Sequence, residues 1–264
     1  MSETLSVINI TIPPTQAELP YNDGMPMESQ RHIVQMELLI DVIETWLQPS
    51  SDGYAGGNMS VYFSLAQLKN QDFRGPDFFV VLGVPKGQRR SWVVWEEGKA
   101  PDIVIELLSP ATITTDKTEK KLIYQNQLRV PEYFWYDPLN PDDLAGFSLS
   151  SGVYQPIVPN TENQLVSQVL GLALQRWQGT YKGANTTWLR WATLAGELLP
   201  TAEEKARQEA QKERQRAEKE RQRAERAELQ LQRTARNLLL SGMSAEQVAS
   251  ITGLTELEIE ALKG

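Results

Sequence analysis

The first strong pattern in the chain is an apolar stripe between residues 27 and 47. Five apolar residues recur there at helical spacing: Ile33, Val34, Leu38, Val42 and Trp46. Ser29 stands before the stripe as an available N-cap, and "PSSDG" follows it. This pattern predicts a first amphipathic helix. Residues 1 to about 28 are broken by Pro and Gly and predict an extended lead-in.

Runs rich in β-branched and aromatic residues follow, separated by Gly and Pro. Four of them predict strands: "NMSVYFSL", "PDFFVVLG", "SWVVWEE" and "PDIVIELLS". Next, "TTDKTEKKLIYQNQL" predicts a helix capped by Thr114 or Thr115, and "EYFWYDP" predicts a further strand. The order of helix, strands, helix and strand predicts a mixed α/β (α+β) domain with a central sheet.

The last quarter of the chain has a different, strongly charged pattern. "KERQRAE" occurs at 212–218 and again at 219–225, and nearly all its residues are strong helix formers. Ala210, Ala217, Ala224 and Leu231 recur every seven residues, but glutamates stand at the matching second seam position. The repeat therefore predicts a long, charge-laced helix rather than a tight coiled coil.

The final segment predicts two short helices. Ser244 with Gln247, and Thr255 with Glu258, both fit a capping box, and Gly253 lies between them. The segment resembles the helix-turn-helix-like ends of several bacterial nuclease-like proteins. Because "ELEIEALK" is acidic, we favour a packing or dimerising hairpin over one that reads DNA. The predicted divisions are 1–199, 200–236 and 237–264.

Charge restricts how this protein can meet nucleic acid. The net charge is −8; residues 1–199 hold 14 basic and 22 acidic residues, and residues 200–264 hold 12 of each. Within the tail, residues 205–236 hold 11 basic and 6 acidic residues. An acidic globular part argues against broad attraction to phosphates, so any nucleic-acid contact is expected to be local.

Other features of the composition bear on compartment and metal chemistry. The chain has no cysteine, which excludes disulfides and thiolate metal sites. The N-terminus lacks the pattern of a signal peptide, and no apolar run approaches the roughly 18 residues that a membrane helix needs. We therefore expect a cytoplasmic protein with no membrane partner.

Acidic residues inside predicted strands are the main candidates for chemistry. Alternation puts Asp102, Val104, Glu106 and Leu108 on one face of a strand, and Asp77 opens the strand "DFFVV". Two carboxylates from adjacent strands and a lysine from the next helix could hold Mg²⁺ and support phosphodiester hydrolysis. The alternative is a pair of strand-end aspartates and a buried glutamate paired with lysine. Composition and spacing alone slightly favour this alternative but leave both interpretations open.

Several segments carry a resemblance to a known family. "RGPDFFVV", "PDIVIELLSPATITTDKTEKK" and "YQNQLRVPEYFWYDP" resemble the bacterial Uma-two family of restriction endonucleases, a branch of the PD-(D/E)xK nuclease superfamily. The resemblance implies a restriction-endonuclease-like core, a central mixed sheet flanked by helices. It also implies that Asp77 and Glu106 are the acidic site residues. The superfamily lysine is expected two positions after Glu106, but Leu108 stands there.

The resemblance implies where the missing lysine lies. A pattern similar to "K...Y...(V)PEY(F/W)" places it on the following helix and selects Lys120, four residues before Tyr124, ahead of Lys121. In the implied site, Asp77, Glu106 and the main-chain carbonyl of Leu107 bind Mg²⁺ or Mn²⁺. Lys120 orients the attacking water and stabilises the phosphorane.

Two functions from different classes follow from these observations. The first is a metal-dependent DNA endonuclease, and a double-strand break from one site per chain would suggest a homodimer. The second is a catalytically silent nuclease-fold protein that binds nucleic acid or partner proteins through its helical tail.

Some residues have a functional and a plainer interpretation. Glu37, on the first helix, could join the metal site or be a boundary residue with a hydrogen-bond partner. Asp102 could be a further ligand, but we favour a strand-start aspartate. We expect His32, the one histidine, at the surface. Four aromatic residues in strand runs are expected to pack rather than to stack on bases: Trp92, Trp95, Trp135 and Tyr136.

Overall fold

The computed structural model describes residues 12–20, 27, 29–49, 52–65 and 75–262. Much of the predicted lead-in, residues 1–11 and 21–26, lies outside the described residues. The chain forms two compact units, Met1–Ala202 and Glu203–Gly264. None of the helices in the described ranges combines the length and apolar character that crossing a bilayer requires.

The first unit combines strands with helices, and the second is helical. The helices are α1 Gln30–Leu47, α2 Val94–Glu97, α3 at residues 113–128, α4 Ala202–Leu240, α5 Ala245–Thr252 and α6 Glu256–Ala261. The strands are β1 Asp52–Gly56, β2 Val61–Tyr62, β3 Phe78–Pro85, β4 Trp92–Val93, β5 Ile103–Leu107, β6 Glu132–Tyr136, β7 Leu144–Ser150, β8 Val153–Pro156, β9 Leu165–Ser167, β10 Leu172–Tyr181 and β11 Ala184–Ala192.

The centre of the first unit is a six-stranded sheet in the order β1-β3-β5-β6-β7-β8. Strands β5 and β6 run parallel, and the other neighbours in this sheet run antiparallel. A parallel pair needs a crossover connection, and α3 supplies it between β5 and β6. The predicted fold class is therefore confirmed: a mixed sheet with flanking helices and a long C-terminal helix.

The two faces of the sheet pack against different layers. Alternation along β5 sends Ile103 and Ile105 into the core shared with α1 and the three-stranded sheet β11-β10-β9. Val104 points to the opposite core, which contains Tyr124 and Leu128 of α3. Glu106 therefore shares the face of Val104, beneath α3, as the alternation predicted.

Helix α1 buries a slightly different stripe from the predicted one. Ile33 is 40% exposed, whereas His32 and Gln35 are buried. The Gln35 side chain donates to the carbonyl of Leu189 and accepts from its N–H. The expectation of a surface His32 was wrong, because the first turn of α1 packs beside the end of β5. A polar side chain can occupy a core position where backbone groups satisfy it.

Some predicted elements have different bounds. Helix α3 begins at Ile113 with Thr112 as N-cap, two residues before the predicted caps. The run "SWVVWEE" forms strand only at Trp92–Val93 and then turns into α2, and "NMSVYFSL" is strand only at Val61–Tyr62. Strands β1 and β7 to β11 were not predicted. Hairpin pairing after residue 143 stabilises runs that have weak strand patterns of their own.

The second unit contains most of α4 together with α5 and α6. Capping boxes at Ser244 and Thr255 start the two short helices, and Gly253 ends α5 in the left-handed region with φ 73°. Ala235, Val248 and Ile259 form a small buried core. Residues 203–230 of α4 are almost entirely exposed, which fits the predicted charge-laced helix.

Candidate active site

Strand register brings the two predicted carboxylates together. Phe78 pairs with Ile105 across the antiparallel β3–β5 ladder, so Asp77 comes opposite Glu106 on the same face. Oδ2 of Asp77 accepts a 2.7 Å hydrogen bond from the N–H of Leu107. The Glu106 side chain is fully buried. Two like charges are therefore held side by side, and one of them is out of contact with water, an arrangement that destabilises a fold without a counter-charge.

Helix α3 supplies the groups that face Glu106. Asp116, Lys120 and Tyr124 are spaced four residues apart and lie on the helix face directed at the sheet. The turns Asp116–Lys120 and Tyr124–Leu128 are π-helical, a local geometry that is frequent at functional sites. The hydroxyl of Tyr133 in β6 donates to the carbonyl of Asp116 at 2.8 Å, which anchors this turn to the sheet.

The two oxygens of Glu106 have different partners. Oε1 accepts a 2.6 Å hydrogen bond from the Tyr124 hydroxyl. Oε2 lies 3.1 Å from Nζ of Lys120. The same Nζ lies 2.8 Å from Oδ1 of Asp116 and forms an ion pair with it. One ammonium therefore neutralises carboxylates from both the sheet and the helix.

The carboxylates outnumber the ammonium. Fully ionised, Asp77, Glu106, Asp116 and Lys120 carry two uncompensated negative charges. Asp77 is partly exposed, yet enough protein surrounds it that desolvation, opposed mainly by Lys120, raises its pKa to about 6. Burial, with the charges of Asp77 and Asp116, also raises the pKa of Glu106 well above its usual value. The site therefore favours taking up protons when no other cation is present.

The pKa of Lys120 is also raised, but for a lysine this favours the charged form. Burial alone would lower its pKa, but the charges of Glu106, Asp116 and Asp77 outweigh burial and raise the pKa above its usual value. Burial and the neighbouring Glu106 carboxylate likewise raise the pKa of Tyr124, which therefore stays a hydrogen-bond donor. Lys120 is a permanent cation at neutral pH, and Tyr124 is a permanent phenol.

The structure separates the two candidate lysines. Nζ of Lys121 lies 3.3 Å from the ring centroid of Phe147 and 5.5 Å from that of Trp135. Partial burial lowers its pKa. Lys121 thus packs over an aromatic surface. Only Lys120 of this pair contacts the carboxylates.

The other predicted acids lie elsewhere. Glu37 pairs with Lys182 at 2.7 Å and does not contact Asp77 or Glu106, so the plainer interpretation fits it. Asp102 stands at the opposite end of β5 from Glu106. It accepts from the N–H of Leu82 and pairs with Lys99, each at 2.7 Å. These contacts fit a strand-start aspartate that ties β5 to its neighbour.

The buried histidine supports the site strand from the other layer. Nε2 of His32 donates to the carbonyl of Leu108 at 3.0 Å, and Nδ1 lies 2.7 Å from the hydroxyl of Ser29. Leu108, which occupies the expected lysine position, is fully buried. Its N–H bonds to the carbonyl of Tyr136. A lysine there would have to place its charge in this packed environment.

The aromatic candidates pack within the protein. The indole N–H groups of Trp92, Trp95 and Trp135 bond to Lys99, Pro14 and Asp143 respectively. The Tyr136 hydroxyl donates to the carbonyl of Thr187. With their polar atoms bonded internally, these rings have the packing role that was expected.

Two residues of the cluster were not among the predicted site residues: Asp116 and, except as a landmark for the lysine, Tyr124. A signal for both was present, because the four-residue step from Tyr124 back to Lys120 continues to Asp116. Neither residue type would have been selected without knowing that α3 lies over Glu106.

The donor set fits a hard divalent cation in its chemistry. Asp77 and Glu106 offer carboxylate oxygens, and Leu107 follows Glu106 directly in β5. Oδ2 of Asp116 is buried and has no hydrogen-bond partner among the residues that the structure describes. In those same residues, no group of three or more His, Cys, Asp or Glu side chains is arranged to hold a metal ion. The pair Asp77 and Glu106, not a carboxylate triad, is thus the candidate ligand set.

Comparison with family models shows which family the chain belongs to. The model of the Uma2 family, described as "Putative restriction endonuclease", matches residues 18–180. This match covers more than half of the chain, and the chain belongs to the Uma2 family. Residues 229–264 match a second model, "Rpn/YhgA-like nuclease family, C-terminal HTH domain".

One similar solved structure is described as "a putative nuclease belonging to DUF820 from Anabaena variabilis ATCC 29413". It is 20% identical, with a TM-score of 0.37, and the match covers 57% of this chain and 86% of that one. No curated protein matches the chain.

The raised pKa of Asp77 predicts a pH dependence of stability without divalent cations. The folded state keeps the proton to about pH 6, whereas an unperturbed carboxyl releases it near 3.8. Folded protein binds more protons in this window, so the Asp77 contribution to the free energy of unfolding falls as pH rises from about 4 to above 6. The expected loss is on the order of a few kcal/mol.

Urea unfolding of wild type and Asp77→Asn with EDTA, from pH 4 to 8, measures this contribution as the difference between their free energies of unfolding. That difference should shift against the wild type as pH rises. A difference that is constant, or that shifts in favour of the wild type, contradicts the predicted pKa direction.

Proposed function

We propose that the protein is a Mg²⁺- or Mn²⁺-dependent endonuclease that hydrolyses phosphodiester bonds in DNA. The observation that carries the proposal is the pair of the partly exposed Asp77 and the buried Glu106, held side by side by strand register against one lysine. Two adjacent carboxylates, in a cluster with two uncompensated charges, destabilise a sheet unless a cation joins them. Membership of the Uma2 family supports phosphodiester hydrolysis as the chemistry.

Each residue has a role in this proposal. Asp77, Glu106 and the carbonyl of Leu107 would hold the metal ion, which supplies Lewis-acid chemistry and an acidified water when bound. Tyr124 fixes the orientation of Glu106 through its 2.6 Å hydrogen bond. Lys120, a permanent cation beside Glu106, orients the attacking water and stabilises negative charge at the scissile phosphate.

A second candidate function has support from the tail. A nuclease-fold protein without catalysis could bind nucleic acid through its C-terminal unit. The match of residues 229–264 to a C-terminal HTH domain favours this candidate, as do the five excess positive charges of residues 205–236. The acidic face of α6 argues against that helix as the reader of a major groove. A cytoplasmic setting and a homodimer remain predictions from the sequence.

Substitution of the buried glutamate tests the catalytic proposal. Glu106→Gln should abolish cleavage of DNA with Mg²⁺ or Mn²⁺ while keeping the fold, because the amide retains the shape but not the charge that a cation needs. Glu37→Gln is the matched control, since Glu37 lies on α1 in a surface pair. Cleavage by purified Glu106→Gln equal to that of the wild type, free of contaminating nuclease, would remove this site from consideration.

Substitution of the two adjacent lysines tests which one acts. Lys120→Ala should lower turnover by about 10²-fold or more, because it removes the ammonium that faces the carboxylates. Lys121→Ala should have a small effect, because its ammonium lies over Phe147. Single-turnover rates on the same DNA measure both. A larger loss from Lys121→Ala, or equally small losses, would contradict the role given to Lys120.

Truncation after Ala202 tests the tail. The shortened chain should stay folded, because Met1–Ala202 is a compact unit with its own core. If the positive stretch contacts phosphates, the shortened chain should bind DNA more weakly and with a shallower salt dependence. Fluorescence anisotropy across a salt series measures both quantities, and sedimentation shows whether a dimer becomes a monomer. Unchanged affinity and salt dependence would argue against DNA binding by the tail.

A further inference from the structure

One buried carboxylate oxygen of Asp116, Oδ2, is not explained by the contacts around it. Its side chain is 1% exposed, and Oδ2 has no hydrogen-bond partner within the part of the chain that the structure describes. Oδ1 lies 2.8 Å from Nζ of Lys120. A buried carboxylate oxygen without a partner is costly, so a protein that keeps one needs a reason for it. The reason should involve Lys120, the cation that Asp116 already contacts.

Lys120 is shared between the sheet and the helix. Its Nζ lies 3.1 Å from Oε2 of Glu106 and 2.8 Å from Oδ1 of Asp116. An ammonium has three donors and can satisfy both partners at once. A divalent cation bound by Asp77 and Glu106 would compete for Oε2 of Glu106 and would repel the ammonium. Lys120 then needs a second anionic partner inside the protein, or it must leave the site.

We propose that Asp116 is a positioning residue that retains Lys120 when a divalent cation takes Glu106. The ammonium then gives up Glu106 but keeps Asp116. Both oxygens of Asp116 become available to it. Lys120 thus stands in for the cation on Glu106 in the metal-free protein and stays beside the metal afterwards. This inference rests on the proposed metal-dependent function, and it adds a residue that acts through Lys120.

The inference predicts that Asp116 and Lys120 are coupled in metal binding. In Asp116→Asn, Lys120 keeps only Glu106 as a charged partner, so Mn²⁺ must displace it without compensation. In Lys120→Met, no ammonium competes, and Asp116→Asn removes only the direct attraction between Asp116 and the metal. The direct attraction between Asp116 and the metal is the same in both backgrounds, so it cancels in a double-mutant cycle. The remaining difference in affinity is the effect of Asp116 that acts through Lys120.

Calorimetric titration with Mn²⁺ on the full-length chain measures this coupling in the wild type, both single variants and the double variant. Asp116→Asn should weaken binding about tenfold more in the presence of Lys120 than in the Lys120→Met background. Asp143→Asn is the matched control, because it breaks another lysine pair of α3, Lys117 with Asp143 at 2.6 Å, and should leave affinity unchanged. If Lys120→Met does not fold, Lys120→Gln replaces it in the cycle.

The outcomes separate the inference from the function on which it rests. Equal loss of affinity in both backgrounds would show that Asp116 acts on the metal directly or not at all, and would overturn the inference alone. Wild-type protein that binds no Mn²⁺, or binds it as well after Glu106→Gln, would overturn the proposed function and the inference together. Coupling of about tenfold with Glu106-dependent binding supports both.

Discussion

The antiparallel register between β3 and β5 is the constraint on which the rest of the site depends. By pairing Phe78 with Ile105 it sets Asp77 opposite Glu106, which is fully buried under α3. The fold tolerates two adjacent carboxylates only because a counter-charge reaches them. Lys120 supplies one positive charge, and desolvation, together with the remaining negative charge, raises the pKa of both acids. In the proposed function, a bound divalent cation would offset this excess negative charge.

The crossover topology explains how a lysine can leave its expected strand position without leaving the site. Because β5 and β6 are parallel, their connection must pass over the sheet, and α3 lies over Glu106 as a result. The position two residues beyond Glu106 is filled by Leu108, which is buried and bonded through its backbone to Tyr136 and His32. An ammonium from α3 reaches Glu106 from above instead. In this chain the ammonium beside Glu106 therefore comes from α3 and not from the strand position two residues after Glu106.

The two units differ in their distribution of charge. The first is acidic and concentrates its unusual charges in one buried cluster. The second carries the positive stretch at residues 205–236, exposed along α4. In the proposed function a nucleic acid would meet an acidic body whose attraction for phosphate is local and depends on a bound cation. A separate basic helix can then supply the non-specific attraction that the body lacks.

The sequence by itself determined the elements with strong periodicity and the carboxylates they carry. Helix α1, strands β3, β5 and β6 and both capping boxes follow from local patterns, and alternation alone set Glu106 on one face of β5. Only the tertiary structure decided the rest. His32 is buried because a backbone carbonyl of another layer satisfies it, and Asp116 joins the cluster because the crossover lays α3 on the sheet. His32 and Leu108 lie 76 residues apart, and the four-residue spacing of Asp116 and Lys120 does not show which surface α3 covers.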